Sequence, residues 1–277
     1  MTASTQAAGR SIICIGQRGP DPSAVHFAET VTRALGMKLI LLHVQGKQSA
    51  GEDLIAATRK YLDHEPDQVI RAQGNFEQII KQELDPEEHE LVVLGTSHGL
   101  ANRVATRLSQ RLAERIADSV LLIRNPPTEL RNILICTGGH SASNIVIDRG
   151  LALAAATGAR VSILHVASSS PSMYTGLQAL DETLQDVLER DTPLSKHLRL
   201  AAERAEKAGI EAKLELRHGV VAEEILRAEE IGHYDLIVIG APEPKHLFNR
   251  LALGSVGPQL FSSATSSILV ARTDPAA

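Results

Sequence analysis

The sequence predicts an α/β protein made of two doubly wound domains, and three observations carry that prediction. First, the chain repeats itself. Residues 11–44 align with 133–166 at an offset of 122, which sets Cys14 on Cys136, Gly16 on Gly138, Gly36 on Gly158 and His43 on His165. The offset becomes 145 for Gly74 with Gly219 and Gly95 with Gly240, and 148 for SVLLIR (119–124) with SILVAR (267–272). Second, each copy holds short, mainly apolar runs of the kind that form buried parallel strands. Third, stretches with apolar residues at helical spacing separate those runs, the pattern that gives parallel pairing through right-handed crossovers.

Taken in order, Ile12–Ile15 and Leu134–Thr137 are first strands followed by glycine. The helices Ala24–Leu35 and Ile145–Thr157 stop at Gly36 and Gly158, residues suited to a helix C-terminus. Leu39–Val44 and Val161–Val166 are second strands ending in His-Val. Third strands at Val69–Ala72 and Leu214–Arg217 precede helices around Phe76–Leu84 and Ala222–Ile231. Fourth strands at Leu91–Leu94 and Leu236–Ile239 end at glycine, and a last helix leads to fifth strands at Val120–Ile123 and Ile268–Ala271. Asn125-Pro126-Pro127-Thr128 is the linker, because two prolines cannot continue a strand ladder.

The second copy is longer by 23 residues between its second and third strands. Ser168–Pro171 there predicts a loop, and Gly176–Arg190 an amphipathic helix with Leu177, Leu180, Leu184 and Leu188 on one side. Thr192-Pro193 is an N-cap with a first-turn proline, and Gly209 closes the next helix. A longer crossover packed on the sheet accounts for the insertion; a lid or partner surface is the alternative.

Composition narrows the function. The 277 residues are 43% hydrophobic and 22% charged, as in ordinary globular domains. Aromatics are 3% with no Trp, too few rings for a platform that stacks single-stranded bases. A formal net charge of −5 argues against non-specific nucleic-acid binding. No run approaches a membrane span, and MTASTQAAGR lacks the apolar stretch of a secretory signal, so a cytoplasmic location is expected. Cys14 and Cys136 fall on the first strands of different sheets, where each is expected to serve as a small core hydrophobe.

In an open parallel sheet, ligands bind beyond the carboxyl ends of the strands. In the second copy those loops begin Thr137-Gly138-Gly139-His140-Ser141, His165-Val166-Ala167 and Gly240-Ala241-Pro242, the last running on to Leu253-Gly254-Ser255-Val256. Gly254 and Ser255 are expected to open the final helix, with Lys245, His246 and Arg250 before them. Helix N-terminal amides, a hydroxyl and nearby cations make a phosphate cradle, or equally a glycine turn with a Ser cap. The first copy has Gly95-Thr96-Ser97-His98-Gly99, a loop three residues shorter, and Thr106 and Arg107 at the positions of Gly254 and Ser255. It reads as a regulatory or structural half. No HExxH or GxxxxGK[ST] pattern occurs, so zinc chemistry and a P-loop have no support. His43 and His165 read as hydrogen-bonded structural histidines, and Glu223-Glu224 as a solvated helix start.

These motifs resemble the universal stress protein family in tandem form. The cues are the glycine turn after the first strand, LLHV and ILHV, HGVVAEEIL, DLIVIG, and LALGSV before SILVAR. The resemblance covers residues 10–125 as a first domain with a degenerate nucleotide motif, and 131–273 as a second with a partly retained one. It implies Rossmann-like domains of the adenine nucleotide alpha hydrolase-like kind. Each would be a five-stranded parallel sheet flanked by helices, the two related by a pseudo-two-fold and paired through their fifth strands, within a chain or in a homodimer.

It also implies a stress-response regulator that binds ATP, AMP or another adenine nucleotide in its C-terminal half, with Mg²⁺ accompanying the nucleotide. Gly240, Gly254 and Ser255 match the first and last elements of the family's phosphate motif, with Val256 following. Glu243 stands where the middle glycine belongs, and the spacing is one residue longer. Gly138, like Gly16, replaces the family's Asp, and Val166 takes the position whose backbone meets adenine. Gly138 and Gly139 also resemble the amide-bearing loop of the nucleotide alpha hydrolases. No positioned general base is visible, so turnover is expected to be at most slow ATP hydrolysis. The alternative is an interaction or scaffold module of the stress response that binds no nucleotide.

Overall fold

The computed structural model describes residues 9–16, 19–45, 53–84, 90–95, 118–140, 143–167, 182–240 and 256–272. The chain forms two compact units, Met1–Glu129 with Thr265–Ala277, and Leu130–Ala264.

The first unit is built from β1 (Arg10–Ile15), α1 (Pro22–Ala34), β2 (Lys38–Gln45), α2 (Leu54–Arg59), β3 (Gln68–Gln73), α3 (Phe76–Glu83), β4 (Glu90–Leu94) and β5 (Ser119–Leu122). Its parallel strands run in the order β3-β2-β1-β4-β5. The strand at Ser267–Ala271, numbered β10 below, lies antiparallel on β5, with Leu269 opposite Leu121. That strand closes an edge which would otherwise present unpaired amides and carbonyls. Ile12, Ile13, Leu39, Leu41, Val92, Val93, Val120 and Leu121 are fully buried. Each side chain of this kind contributes up to about 1.5–3 kcal/mol.

Helix α1 begins where Asp21 accepts a hydrogen bond from the Ala24 amide at 3.2 Å and Pro22 fills the first turn. Its inner face sets Val25, Phe27, Ala28 and Val31 on the sheet. The same helix buries two polar groups. Thr32 Oγ1 is 2.8 Å from Ser11 Oγ on β1. Glu29, 3% exposed, accepts from the Asp63 amide (2.7 Å) and the His64 amide (3.0 Å), and lies 2.9 Å from His64 Nδ1. The carboxylate thus ties the loop before β3 to α1 by charge-assisted bonds.

The second unit comprises β6 (Asn132–Thr137), α4 (Asn144–Thr157), β7 (Arg160–Ala167), α5 (Leu184–Glu189), α6 (Pro193–Lys207), β8 (Ala212–His218), α7 (Val221–Gly232), β9 (Leu236–Gly240) and α8 (Val256–Ser263). The order is β8-β7-β6-β9, all parallel. Gly158 ends α4 in the left-handed region with φ 73°. Gly150 of α4 is a close approach: a Cβ there would come within 2.5 Å of Ile135 Cγ1 on β6. Strand β10 follows α8 in the chain.

One local difference from the sequence reading has a physical cause. The helix expected over 176–190 is seen as Leu184–Glu189. Thr183 and Asp186 form a reciprocal capping box that fixes its start. Leu177 and Leu180 lie outside the described residues, and Val187 rather than Leu184 or Leu188 is the buried residue. Helix α7 ends with His233 in the left-handed region (φ 48°), without a glycine. The linker also turns through a non-glycine residue there, Asn125 (φ 38°).

Candidate functional site

In the second unit the chain runs β6→β7→β8 to one side and then returns to place β9 on the other side of β6. The crevice between β6 and β9 is therefore a topological switch point, where loops diverge and a ligand has room. Register brings the expected glycines to it. Thr137 pairs with His165, so Gly138, just past β6, and Val166, near the end of β7, lie at one level. Ile135 pairs with Val238, two residues before Gly240. Gly138 and Gly240 are exposed, while Gly139 and Val166 are half-buried.

The loop after β6 is held by its own side chains. The Gly138 amide donates to Ser143 Oγ at 3.1 Å, and the Gly139 amide donates to Thr137 Oγ1 at 3.2 Å. Gly139 adopts φ 78°, which an L side chain rarely tolerates. A Cβ there would also meet Leu194 Cδ1 of α6 at 2.6 Å and His165 Cε1 at 3.0 Å.

His165 Nδ1 is 3.0 Å from the Thr137 carbonyl, which assigns the proton to Nδ1 as donor. His43 repeats the contact to the Ile15 carbonyl at 3.4 Å. A third imidazole was not anticipated from the sequence: buried His197 of α6 sets Nε2 2.6 Å from Thr137 Oγ1. Burial holds its pKa below the ordinary histidine range, and the fields of His140, His165 and Arg204 add to that. The signal lay in the periodicity of α6. His197 falls on the stripe of Leu198, Ala201 and Ala205, so a polar ring on the buried face needs a partner.

Of the expected contact residues, Gly138, Gly139, Val166 and Gly240 gather at the carboxyl ends of the strands, and Val256 opens α8. Gly254 and Ser255, with Glu243, Lys245, His246 and Arg250, lie outside the described residues, as do Thr96 through Arg107 of the first copy. Glu224 at the start of α7 is tied to Arg227 and lies 3.9 Å from Arg217. Cys14 is a buried free thiol and Cys136 a partly buried one, and desolvation pushes both well above the usual thiol range. Among the described residues no group of three or more His, Cys, Asp and Glu side chains is placed to hold a metal ion. None of the described helices is long and apolar enough to cross a membrane.

Fold and site together define a Rossmann-like α/β protein with its glycine loops at a switch point. The universal stress protein family model matches residues 129–272, and the chain belongs to that family. A universal stress protein of Methanocaldococcus jannaschii is 27% identical over 151 residues, covering 54% of this chain and 87% of that protein. The universal stress protein YxiE of Bacillus subtilis is 29% identical over 145 residues, covering 50% and 97%. Among solved structures, a functionally unknown protein of Pseudomonas aeruginosa PAO1 superimposes with a TM-score of 0.69 at 15% identity, covering 96% of this chain and 94% of that one. A universal stress protein of Archaeoglobus fulgidus gives 0.64 at 13% identity, covering 98% of each. At these identities the solved structures speak for the fold alone.

Proposed function

We propose that the chain is a tandem universal stress protein whose second domain, residues 131–273, binds an adenine nucleotide such as ATP or AMP, while the first, 10–125, has a structural or regulatory role. One observation carries this reading: Gly138, Val166 and Gly240 stand at the carboxyl ends of three adjacent parallel strands beside a switch point. The sequence Gly254-Ser255 stands directly before α8, whose first residue is Val256. The tandem reading is supported by the internal repeat and by the shared 3-2-1-4 strand order of the two units.

In this reading the adenine ring lies along the Val166 backbone, and Gly138 and Gly139 approach the nucleoside. The phosphates meet the Gly254 and Ser255 amides and the Ser255 hydroxyl, with Mg²⁺ screening their charge. The residues fit such a ligand in one respect, since Gly138 and Gly240 are exposed and carry no Cβ. Hydrolysis is at most slow, and the role is that of a nucleotide-sensing regulator.

The test is release and titration. Purified protein is denatured and its supernatant read by absorbance and mass spectrometry, and refolded or stripped protein is titrated calorimetrically with ATP and AMP, with and without Mg²⁺. Heat of binding or a co-purified nucleotide is expected, and Gly254→Glu is expected to abolish both. No heat and no thermal shift at millimolar ligand would discard the reading.

One observation favours the second reading, an interaction module without nucleotide. The Gly138 and Gly139 amides already donate to Ser143 and Thr137, so an anion gains them only by displacing hydroxyls.

A further inference from the structure

We propose that Thr137 and His197 form a proton-sensitive latch, which seats α6 on the carboxyl end of β6 at neutral pH and lets go in mild acid. The geometry is a relay. The Gly139 amide donates to Thr137 Oγ1, and His197 Nε2 stands 2.6 Å from that oxygen. Neutral His197 is assigned the Nδ1–H tautomer, in which the hydroxyl proton points at Nε2 while the Gly139 amide takes one of the two lone pairs of Oγ1. Leu194, one turn earlier on α6, packs over Gly139. The polar contact and the apolar one therefore hold the same short segment, 137–139, under the same helix.

A proton on His197 spoils this arrangement in two ways. Nε2 becomes a donor, so Thr137 Oγ1 receives two N–H groups and its own proton is turned away inside a buried site. The new charge also stands among other basic groups. His140 faces it from the loop after β6, His165 from the end of β7, and Arg204 from α6 itself. Asp148 of α4 faces the cluster through Arg204, which it binds at 2.9 Å. On β8, Lys213 and Arg217 pair with Glu215; on α5, Asp186 is engaged by Thr183 and Glu189 by Gln185. These carboxylates already have partners, so among the described residues His197 gains a charge with no counter-ion of its own. The depressed pKa of His197 agrees in direction.

The first unit has no counterpart, because the residue aligned with Thr137 is Ile15. Release would lift Leu194 from Gly139, so acid would change access to the site proposed above. That consequence rests on the nucleotide reading, whereas the latch itself does not.

Hydrogen exchange of the full chain, read by mass spectrometry from pH 7.5 to 5.5 and corrected for the intrinsic pH dependence of exchange, tests the latch. Peptides covering 137–140 and α6 report on it, and α1 of the first unit is the internal reference. Protection of the reporters is expected to fall several-fold on acidification relative to α1. His197→Gln, which keeps a neutral partner for Thr137, is expected to flatten that pH profile. Thr137→Val is expected to lower protection at both pH values, with little further loss in acid. Wild-type protection that does not change with pH, or an acid loss that survives in His197→Gln, overturns the proposal. ATP titrations at the same two pH values form a separate arm. No binding at either pH removes the ligand and leaves the exchange result standing, while pH-invariant exchange removes the latch whatever ATP does.

Discussion

The two units share a strand order and differ in where they bury polar side chains. In the first unit the buried hydroxyl and carboxylate sit on α1, near the amino ends of the strands: Thr32 with Ser11, and Glu29 with the Asp63 and His64 amides. The aligned positions in the second unit are Ala154, Ile133 and Leu151, all apolar and buried. The second unit instead places a buried network at the carboxyl ends, through Thr137 and His197, where the first has Ile15. One frame thus supports polar order at opposite ends. A buried polar group costs free energy unless it is bonded, so each network marks a place where geometry is being fixed beyond what packing requires. In the first unit that place is the scaffold. In the second it is the end where the loops of a doubly wound sheet gather.

Exchanging residues between aligned positions breaks the comparison directly. The largest effect is expected from Glu29→Leu, which gives α1 the residue that α4 has at Leu151. The Asp63 and His64 amides lose a charged acceptor, and the loop before β3 loses its tie to α1. A loss of about 2–3 kcal/mol is expected, measured by urea denaturation with hydrogen exchange assigning it to the first unit. An unchanged midpoint would mean that water replaces the carboxylate at no cost.

Gly150→Ala comes next. The aligned residue is Ala28, which sits fully buried against the first sheet. Helix propensity alone predicts a gain of about 1 kcal/mol from this change. The approach of Ile135 predicts the opposite, because the new methyl would crowd that side chain. Overpacking costs about 1–3 kcal/mol, so a net loss of about 1 kcal/mol is expected. Adding Ile135→Val should recover only part of it, since that change removes Cδ1 but keeps Cγ1, which the new methyl also approaches. A stabilised single variant would show that α4 shifts freely on β6.

Much of this frame was legible in the residues. The repeat, the glycine-terminated strands and the twin histidines marked the strands and strand ends, because buried parallel strands and their turns restrict residue type locally. The structural role of His43 and His165 followed from their place at strand ends, and both rings meet a carbonyl of the neighbouring strand. The Thr137–His197 pair was not legible. Its members are separated by 60 positions and meet only through tertiary packing of a helix on the strand end. The start of α5 was also misplaced, because leucine spacing continues upstream of Thr183 while the capping box sets the boundary. For the candidate site, the strand ends were readable from glycine positions, but the engagement of the Gly138 and Gly139 amides by hydroxyls was not.

The smallest expected effect is the sharpest comparison: Thr137→Ile, which gives β6 the residue β1 has at Ile15. It removes one hydroxyl, leaving the Gly139 amide and His197 Nε2 without their partner, at a cost of about 1 kcal/mol. Its second signature is in the pH dependence. A histidine whose folded pKa is depressed binds fewer protons in the native than in the unfolded state. Its contribution to stability is complete above the ordinary imidazole pKa of about 6.5 and is lost as the pH falls below it. The wild-type second unit should therefore weaken between pH 7 and pH 5, as read by urea midpoints at each pH. Thr137→Ile should begin lower at pH 7 and decline less, because an imidazole freed from its seat returns toward solvent and regains its ordinary affinity for protons. Parallel midpoint curves for the two proteins would mean that His197 is held by burial alone, and that the hydroxyl contributes nothing to its titration.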